Sequence, residues 1–307
     1  MRQRNKATKI AVAQVTPVFL NKTKTVQKAC DTILEAGSNG AKMLVFPEAF
    51  ISGYPDWIWL IPNSKGAVLN ELYIELVENS ISVSDQYTAK LCKAAKQAGI
   101  FVVIGINEKN SEASGSSLYN TLLFINGKGE ITGKHRKLIP TGGERLIWAR
   151  GDGKSLNVYD TYFGKVGGLI CWENYMPLAR QALYDKGVQI LTIPTWDKSD
   201  RWLGSLNHIA REGGSFVVNC CMPLRIDDIP DRYEFKKLYP EGREWINSGN
   251  SCIISPKGEY IVGPVKEKEA ILYGDIELTQ IIESKRMFDV SGHYSRPDVF
   301  NLKVMGE

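Results

Sequence analysis

A thiol, a carboxylate and an amine in this chain have the chemistry to cooperate in attack on an electrophilic carbon. The thiol is Cys171, in residues 165–180 (KVGGLICWENYMPLAR). Residues 166–170 are apolar and Gly-punctuated, as a strand buried on both faces should be, and Pro177 suits the first turn of a helix running through Ala179, Ala182 and Leu183. The pattern predicts Cys171 at the C-terminal end of a strand, where ligands bind in open α/β sheets. Position alone does not make a nucleophile, since free Cys is among the most buried residue types. A base for the thiol proton, a cation for developing charge and a group to orient them are also needed.

The carboxylate is Glu48, which follows Pro47 at the end of an apolar run in PEAFISGYPDWIW. A solvated loop is the usual fate of Glu. Phe46, Phe50, Tyr54, Trp57 and Trp59 around it would instead desolvate the carboxyl and raise its pKa towards neutrality, which suits a general base or acid. At this point both readings stand. The amine lies in residues 133–148 (GKHRKLIPTGGERLIW), a loop-like stretch that concentrates His135, Arg136, Lys137, Glu144 and Arg145. A solvated basic turn is one account of it. The other is a buried ammonium facing a carboxylate, because Lys137 adjoins Leu138 and Ile139, and Gly142-Gly143 would let the backbone close tightly.

Elements that could position these groups follow from periodicity. Residues 9–15 and 43–46 read as buried strands and 23–36 as a helix between them, which suggests a right-handed crossover. Residues 67–98 carry two helical patterns, 101–106 and 119–125 are strands, and Asn126-Gly127 gives hairpin chemistry into 130–132. After the thiol, 189–194, 215–221, 251–255, 259–262 and 270–276 read as strands, with helices at 202–212 and 278–286. Residues 227–242, charged and interrupted by Pro, predict an exposed excursion near a pocket mouth. Residues 287–304 have no period yet hold Phe288, Tyr294, Val299, Phe300 and Leu302, which predicts an arm packed on another subunit.

Composition bounds the rest. A chain of 307 residues with 43% hydrophobic content suits one large α/β domain, 1–307, with 287–307 as the arm. Net charge of +4 arises from scattered Lys, Arg, Asp and Glu, unlike the clustered basic footprint of a nucleic-acid binder. The six cysteines include no C-x-x-C pair and read as reduced, with Cys220 and Cys221 as packing residues. His135, His208 and His293 form no metal pattern, so no metal is expected. The basic start MRQRNK is followed by only a short apolar run, and no run approaches 18 residues, so a cytoplasmic protein without membrane segments is expected.

FPEAF around Glu48, HRKLIPT around Lys137 and GGLICWENYMPLAR around Cys171 together resemble the nitrilase superfamily. CWENYMPLAR resembles the nitrilase branch more than the amidases or carbamoylases, and PTWD (194–197), HIAREGG (208–214) and residues 248–264 extend the likeness over about 9–304. The resemblance implies a four-layer αββα sandwich of two mixed sheets flanked by helices. It further implies Glu48 as base, Lys137 as cation, Cys171 as nucleophile and Glu144 as a second carboxylate that orients the Lys. It implies a homodimer built sheet to sheet with the arm, or a larger homo-oligomer.

The chemistry expected is hydrolysis of an organic nitrile to the acid and ammonia through a Cys171 thioimidate and thioester, with no cofactor. The sulfur is expected to be ionised in a water-poor hollow, and the backbone N–H of Trp172, at the start of a helix, to serve as oxyanion donor. Tyr54, Trp57, Trp59, Trp172 and Trp196 are candidate pocket walls, which suggests breadth across apolar nitriles, since one methylene is worth only ~1–3 kcal/mol. An aliphatic amidase or a cyanide hydratase shares the Glu, Lys and Cys set. A non-catalytic scaffold with an inert Cys171 is the reading from another class.

Overall fold

The structure, a computed structural model, describes residues 7–305. The basic start at residues 1–6 and the last two residues of the predicted arm lie outside it. The first half of the chain runs through β1 (Thr8–Gln14), α1 (Lys22–Ser38), β2 (Met43–Val45), α2 (Gly66–Glu78), α3 (Gln86–Ala98), β3 (Phe101–Lys109), β4 (Leu118–Ile125) and β5 (Ile131–Arg136). The second continues through β6 (Val158–Thr161), β7 (Gly164–Gly168), α4 (Pro177–Asp185), β8 (Ile190–Thr195), α5 (Asp200–Gly213) and β9 (Phe216–Cys221). It closes with β10 (Pro223–Arg225), β11 (Trp245–Ile254), β12 (Tyr260–Lys266), β13 (Ala270–Ile276) and α6 (Thr279–Lys285).

These strands make two mixed sheets. One has the order β13-β1-β2-β3-β4-β5, with β1, β2 and β3 mutually parallel and the flanking pairs antiparallel. The other has the order β10-β11-β9-β8-β7-β6, with β7, β8 and β9 parallel and β12 on β11. Because side chains alternate across a strand, a run apolar at every position can bury both faces. Ile10, Val12, Met43 and Val45 point into the core between the sheets, against Ile190, Phe216 and Val218. Ala11, Ala13 and Leu44 point outward beneath α1 and α3. On the other sheet Leu191, Ile193 and Val217 face α4 and α5. The layers are therefore helix, sheet, sheet, helix, as the resemblance implied.

Several local expectations change. The basic segment is not loop throughout: β5 pairs with β4 as far as Arg136, so Lys137 leaves directly from a strand end. Edge strands β6 and β10 were not legible, being short and paired on one side. Between Cys171 and α4 lies a 3-10 turn, Cys171–Tyr175, and the α-helix begins at Pro177. Residues 227–242 are no simple exposed excursion, for Tyr233, Phe235 and Tyr239 are buried against the core. The arm does two things at once: Val290, Leu302 and Val304 pack on the chain's own α4–α5 layer, while Val299, Phe300 and Met305 stay exposed.

Candidate active site

The predicted site residues are carried by strand ends from both sheets. Glu48 lies just beyond β2, in a turn stitched to β3 by bonds from the Phe46 N–H to the Val103 carbonyl (2.8 Å) and from the Ile51 N–H to the Gly105 carbonyl (3.2 Å). Gly105 permits that closeness, since a Cβ there would lie 2.2 Å from the Pro47 carbonyl oxygen. Lys137 continues the β4–β5 ladder, its N–H donating to the Asn120 carbonyl at 2.8 Å. Cys171 follows β7, and the Leu169 N–H still pairs with the Thr192 carbonyl of β8 at 3.2 Å.

Sheet ends thus deliver a buried cluster. Lys137 Nζ donates to Glu48 Oε1 at 2.8 Å and to Glu144 Oε2 at 2.8 Å. Both carboxylates and the amine are at most 2% exposed, so neither of the solvated readings holds. Asn120 Nδ2 donates to the same Glu48 Oε1 at 2.7 Å, while Glu48 Oε2 has no hydrogen-bond partner among the described residues. Glu144 Oε1 accepts from the Tyr54 hydroxyl at 2.7 Å, and the Thr141 N–H donates to Oε2 at 2.7 Å. The Thr195 hydroxyl, at the end of β8, donates to Cys171 Sγ at 3.1 Å.

Electrostatics fix the resting charges. Burial raises the Glu48 carboxyl above its ordinary range and Glu144 adds to that, against the pull of Lys137 and Asn120. Burial alone would lower Lys137, but Glu48 and Glu144 more than reverse it, so the amine stays charged. Cys171 is pushed up to about 12 by burial and by Glu48, with Lys137 and Thr195 opposing. Burial first, and the facing carboxylates second, thus favour the protonated thiol over the ionised sulfur expected from the sequence.

Cys171 sits at φ 51°, in the left-handed region, where a non-Gly residue costs about 1–2 kcal/mol. Two side chains hold the turn there, and sequence reasoning found neither. Glu173 Oε2 accepts from the Ile170 N–H at 2.7 Å and Oε1 from the Leu138 N–H at 2.5 Å, bridging the Cys171 turn to the Lys137 segment. His135 Nε2 lies 3.0 Å from Glu173 Oε2, so the His that matched no metal pattern pairs with this carboxylate. Burial would raise the Glu173 carboxyl, but His135 and the two backbone N–H groups hold it below the ordinary range. Asn174 Nδ2 donates to the Leu169 and Cys171 carbonyls at 3.2 and 2.9 Å. A Glu three residues after Ile170, the residue that opens the Cys171–Tyr175 turn, has the spacing of a capping box, the one signal that could have flagged Glu173.

A cleft of about 330 Å³ opens onto Cys171 and Glu144, and the predicted walls Tyr54, Trp59, Trp172 and Trp196 all line it, with Thr141, Asp197 and Ser199. Trp57 does not line it: its ring is buried in the core under the first sheet. Tyr54 and Trp196 stack at 4.4 Å with an interplanar angle of 7°, a contact worth about 0.5–1.5 kcal/mol beyond its buried area. Each wall is tied at its polar edge. Trp59 Nε1 donates to the Tyr54 hydroxyl (3.1 Å), Trp172 Nε1 to Asp197 Oδ2 (2.8 Å) and Trp196 Nε1 to Asp56 Oδ1 (3.1 Å).

A four-layer sandwich whose strand ends bring a buried thiol together with acid and amine defines a class, and comparison with known proteins gives it a family. The sequence profile described as "Carbon-nitrogen hydrolase" matches residues 9–286. "Nitrilase 2" of Arabidopsis thaliana is 40% identical over 302 residues, covering 95% of this chain and 87% of that protein. A "Bifunctional nitrilase/nitrile hydratase" of Nicotiana tabacum is 40% identical over 300 residues, covering 95% and 84%. In fold, the chain resembles Saccharomyces cerevisiae Nit3, described as a member of branch 10 of the nitrilase superfamily, with a TM-score of 0.72 at 21% identity over 94% of this chain and 97% of that one. The chain belongs to the carbon-nitrogen hydrolase family, in the nitrilase branch of that superfamily.

Proposed function

We propose that this chain is a nitrilase that converts organic nitriles to carboxylic acids and ammonia, with Cys171 as nucleophile, Glu48 as base, Lys137 as cation and Glu144 as the carboxylate that orients it. The observation that carries the reading is the convergence of one buried amine on two buried carboxylates beside a buried thiol. Because burial favours the protonated thiol, its proton leaves as the sulfur attacks the nitrile carbon. Glu48 Oε2, which no donor among the described residues occupies, is the acceptor. The proton then passes to the nitrile nitrogen and a thioimidate forms. Water activated by Glu48 adds to it, ammonia leaves, and a second water cleaves the thioester.

Lys137 stays charged throughout and stabilises negative charge in the tetrahedral states, with the Trp172 N–H as a further donor from the turn after the nucleophile. Loss of the thiolate from the first tetrahedral species gives an amide instead of an acid. The bifunctional relative from tobacco favours some amide as a second product here. The aromatic cleft suits apolar aryl or alkyl nitriles. The chemistry calls for no cofactor.

We place this activity in a single domain spanning the chain, working in the cytoplasm, where no nucleic-acid or membrane partner is needed. Among the described residues no helix is long and apolar enough to cross a membrane. The exposed apolar side chains of residues 287–305 support an arm at the interface of a homodimer or larger homo-oligomer. Mass spectrometry of the protein quenched during turnover of a nitrile tests the central role. An adduct on the Cys171 peptide is expected, and labelling confined to Cys220 or Cys252 would overturn it.

A further inference from the structure

Two of the cleft's aromatic walls depend on one short turn, Asp56–Trp59, which contributes Trp59 to the lining and bonds Trp196 through Asp56. The Trp196 backbone is held independently, its carbonyl accepting from Asn247 Nδ2 at 2.7 Å. What remains free is the indole ring. Stacking on Tyr54 leaves a flat ring able to slide and turn in its own plane, so a directional bond is needed to fix it. Asp56 supplies that bond through Oδ1, while its Oδ2 accepts from the Tyr239 hydroxyl at 2.7 Å. The carboxylate is thus oriented from the opposite side by the packed excursion. Asp56 and Trp196 are 140 residues apart, so the bond ties the half of the chain bearing Glu48 to the half bearing Cys171.

We propose that Asp56 is a positioning residue that fixes Trp196 flat against Tyr54 and thereby decides how bulky a substrate the cleft admits to Cys171. The substrate being a nitrile rests on the reading above, whereas the wall itself does not. Without Asp56 the indole turns into the cleft and narrows it. Tyr54 is held separately by Glu144 and Trp59, so the acid–amine cluster is untouched and the loss falls on bulky ligands.

Alkylation of Cys171 tests this without turnover. The intact protein and its variants are treated with iodoacetamide and, separately, with an N-aryl iodoacetamide, and the rate at the Cys171 peptide is followed by mass spectrometry. In Asp56→Ala the aryl reagent is expected to slow about tenfold relative to the small one, the discrimination that a reshaped apolar pocket gives. Asp56→Asn, which keeps one acceptor oxygen, should recover part of the ratio. Trp196→Phe, which removes the donor and also trims the wall, covers the case in which Asp56→Ala does not fold. Its ratio should move without further change in the Asp56→Asn/Trp196→Phe double variant. With nitriles the same split should appear as a raised KM for aryl substrates at nearly constant kcat. Equal slowing of both reagents, or an unmoved ratio in Asp56→Ala and Trp196→Phe, overturns the proposal. Failure of the wild-type protein to hydrolyse any nitrile removes only the nitrile reading, since the alkylation ratio still decides the wall.

Discussion

Two buried glutamates flank Cys171, and they differ in how completely their oxygens are used. Glu48 has one oxygen bound by Lys137 and Asn120 and the other unpartnered, and its pKa is raised. Glu173 has both oxygens filled, by the Ile170 and Leu138 N–H groups and by His135, and its pKa is lowered. Burial pushes both the same way, and the sign is decided by what opposes it: Glu48 also faces the Glu144 charge, whereas Glu173 has His135 and two backbone N–H groups and, among the described residues, no like charge beside it. On the function proposed above, the first carboxylate takes a proton and gives it back. The second is a fixed charge that bonds the Ile170 N–H beside the left-handed Cys171 and joins that turn to the Lys137 segment.

The largest effect expected from this division is on turnover. Cys171→Ala should abolish nitrile hydrolysis, and Glu48→Gln should lower kcat by ~10²–10⁴-fold, the range for loss of a general base. Steady-state assays alongside circular dichroism separate this from unfolding. Glu173→Gln should act on stability instead. Its amide NH₂ would confront the Leu138 or Ile170 N–H in a buried site, which costs about 2–5 kcal/mol in urea unfolding. Because the folded Glu173 value is depressed, its contribution is present above the unfolded value and is lost as pH falls through the folded one. The gap in stability between wild type and Glu173→Gln should therefore narrow in acid.

A pH–rate profile sharpens the contrast. Glu48 must be ionised to accept a proton, so kcat/KM should fall as pH drops through its raised value, above the ordinary 4.5. Glu173→Gln should leave that limb in place. If it moves the limb while stability is unchanged, the two carboxylates do not divide the work as described. Asn120→Ala should have the smallest effect. Its amide holds Glu48 down, so its loss should shift the acid limb to higher pH and leave the alkaline limb alone.

Much of this was legible in the sequence. Continuous apolar runs such as residues 9–15 signalled strands buried on both faces, and the motifs around Glu48, Lys137 and Cys171 singled out the groups that the sheet ends bring together. The supporting partners were not, because they act across long separations: His135 lies 38 residues from Glu173 and Asp56 lies 140 from Trp196. Trp57 and Trp59 sit in one aromatic run, and only the 3-10 geometry of the turn sends one into the core and the other to the cleft. The charge of the thiol is not legible for a related reason. Motifs show which charges are near a sulfur but not how dry the site is, and burial is the largest influence on Cys171.

The protonation state of that sulfur tests the central claim most directly. Thiolate ultraviolet absorbance, taken as the difference between wild type and Cys171→Ala and titrated from acid to alkaline pH, reads it without substrate. A neutral thiol through the neutral range is expected, ionising only in strong alkali. The same titration in Glu48→Gln should be displaced to lower pH, since the facing carboxylate raises the thiol. A full thiolate signal at mildly acidic pH, unmoved by Glu48→Gln, would contradict a buried thiol that gives its proton to Glu48 only as it attacks.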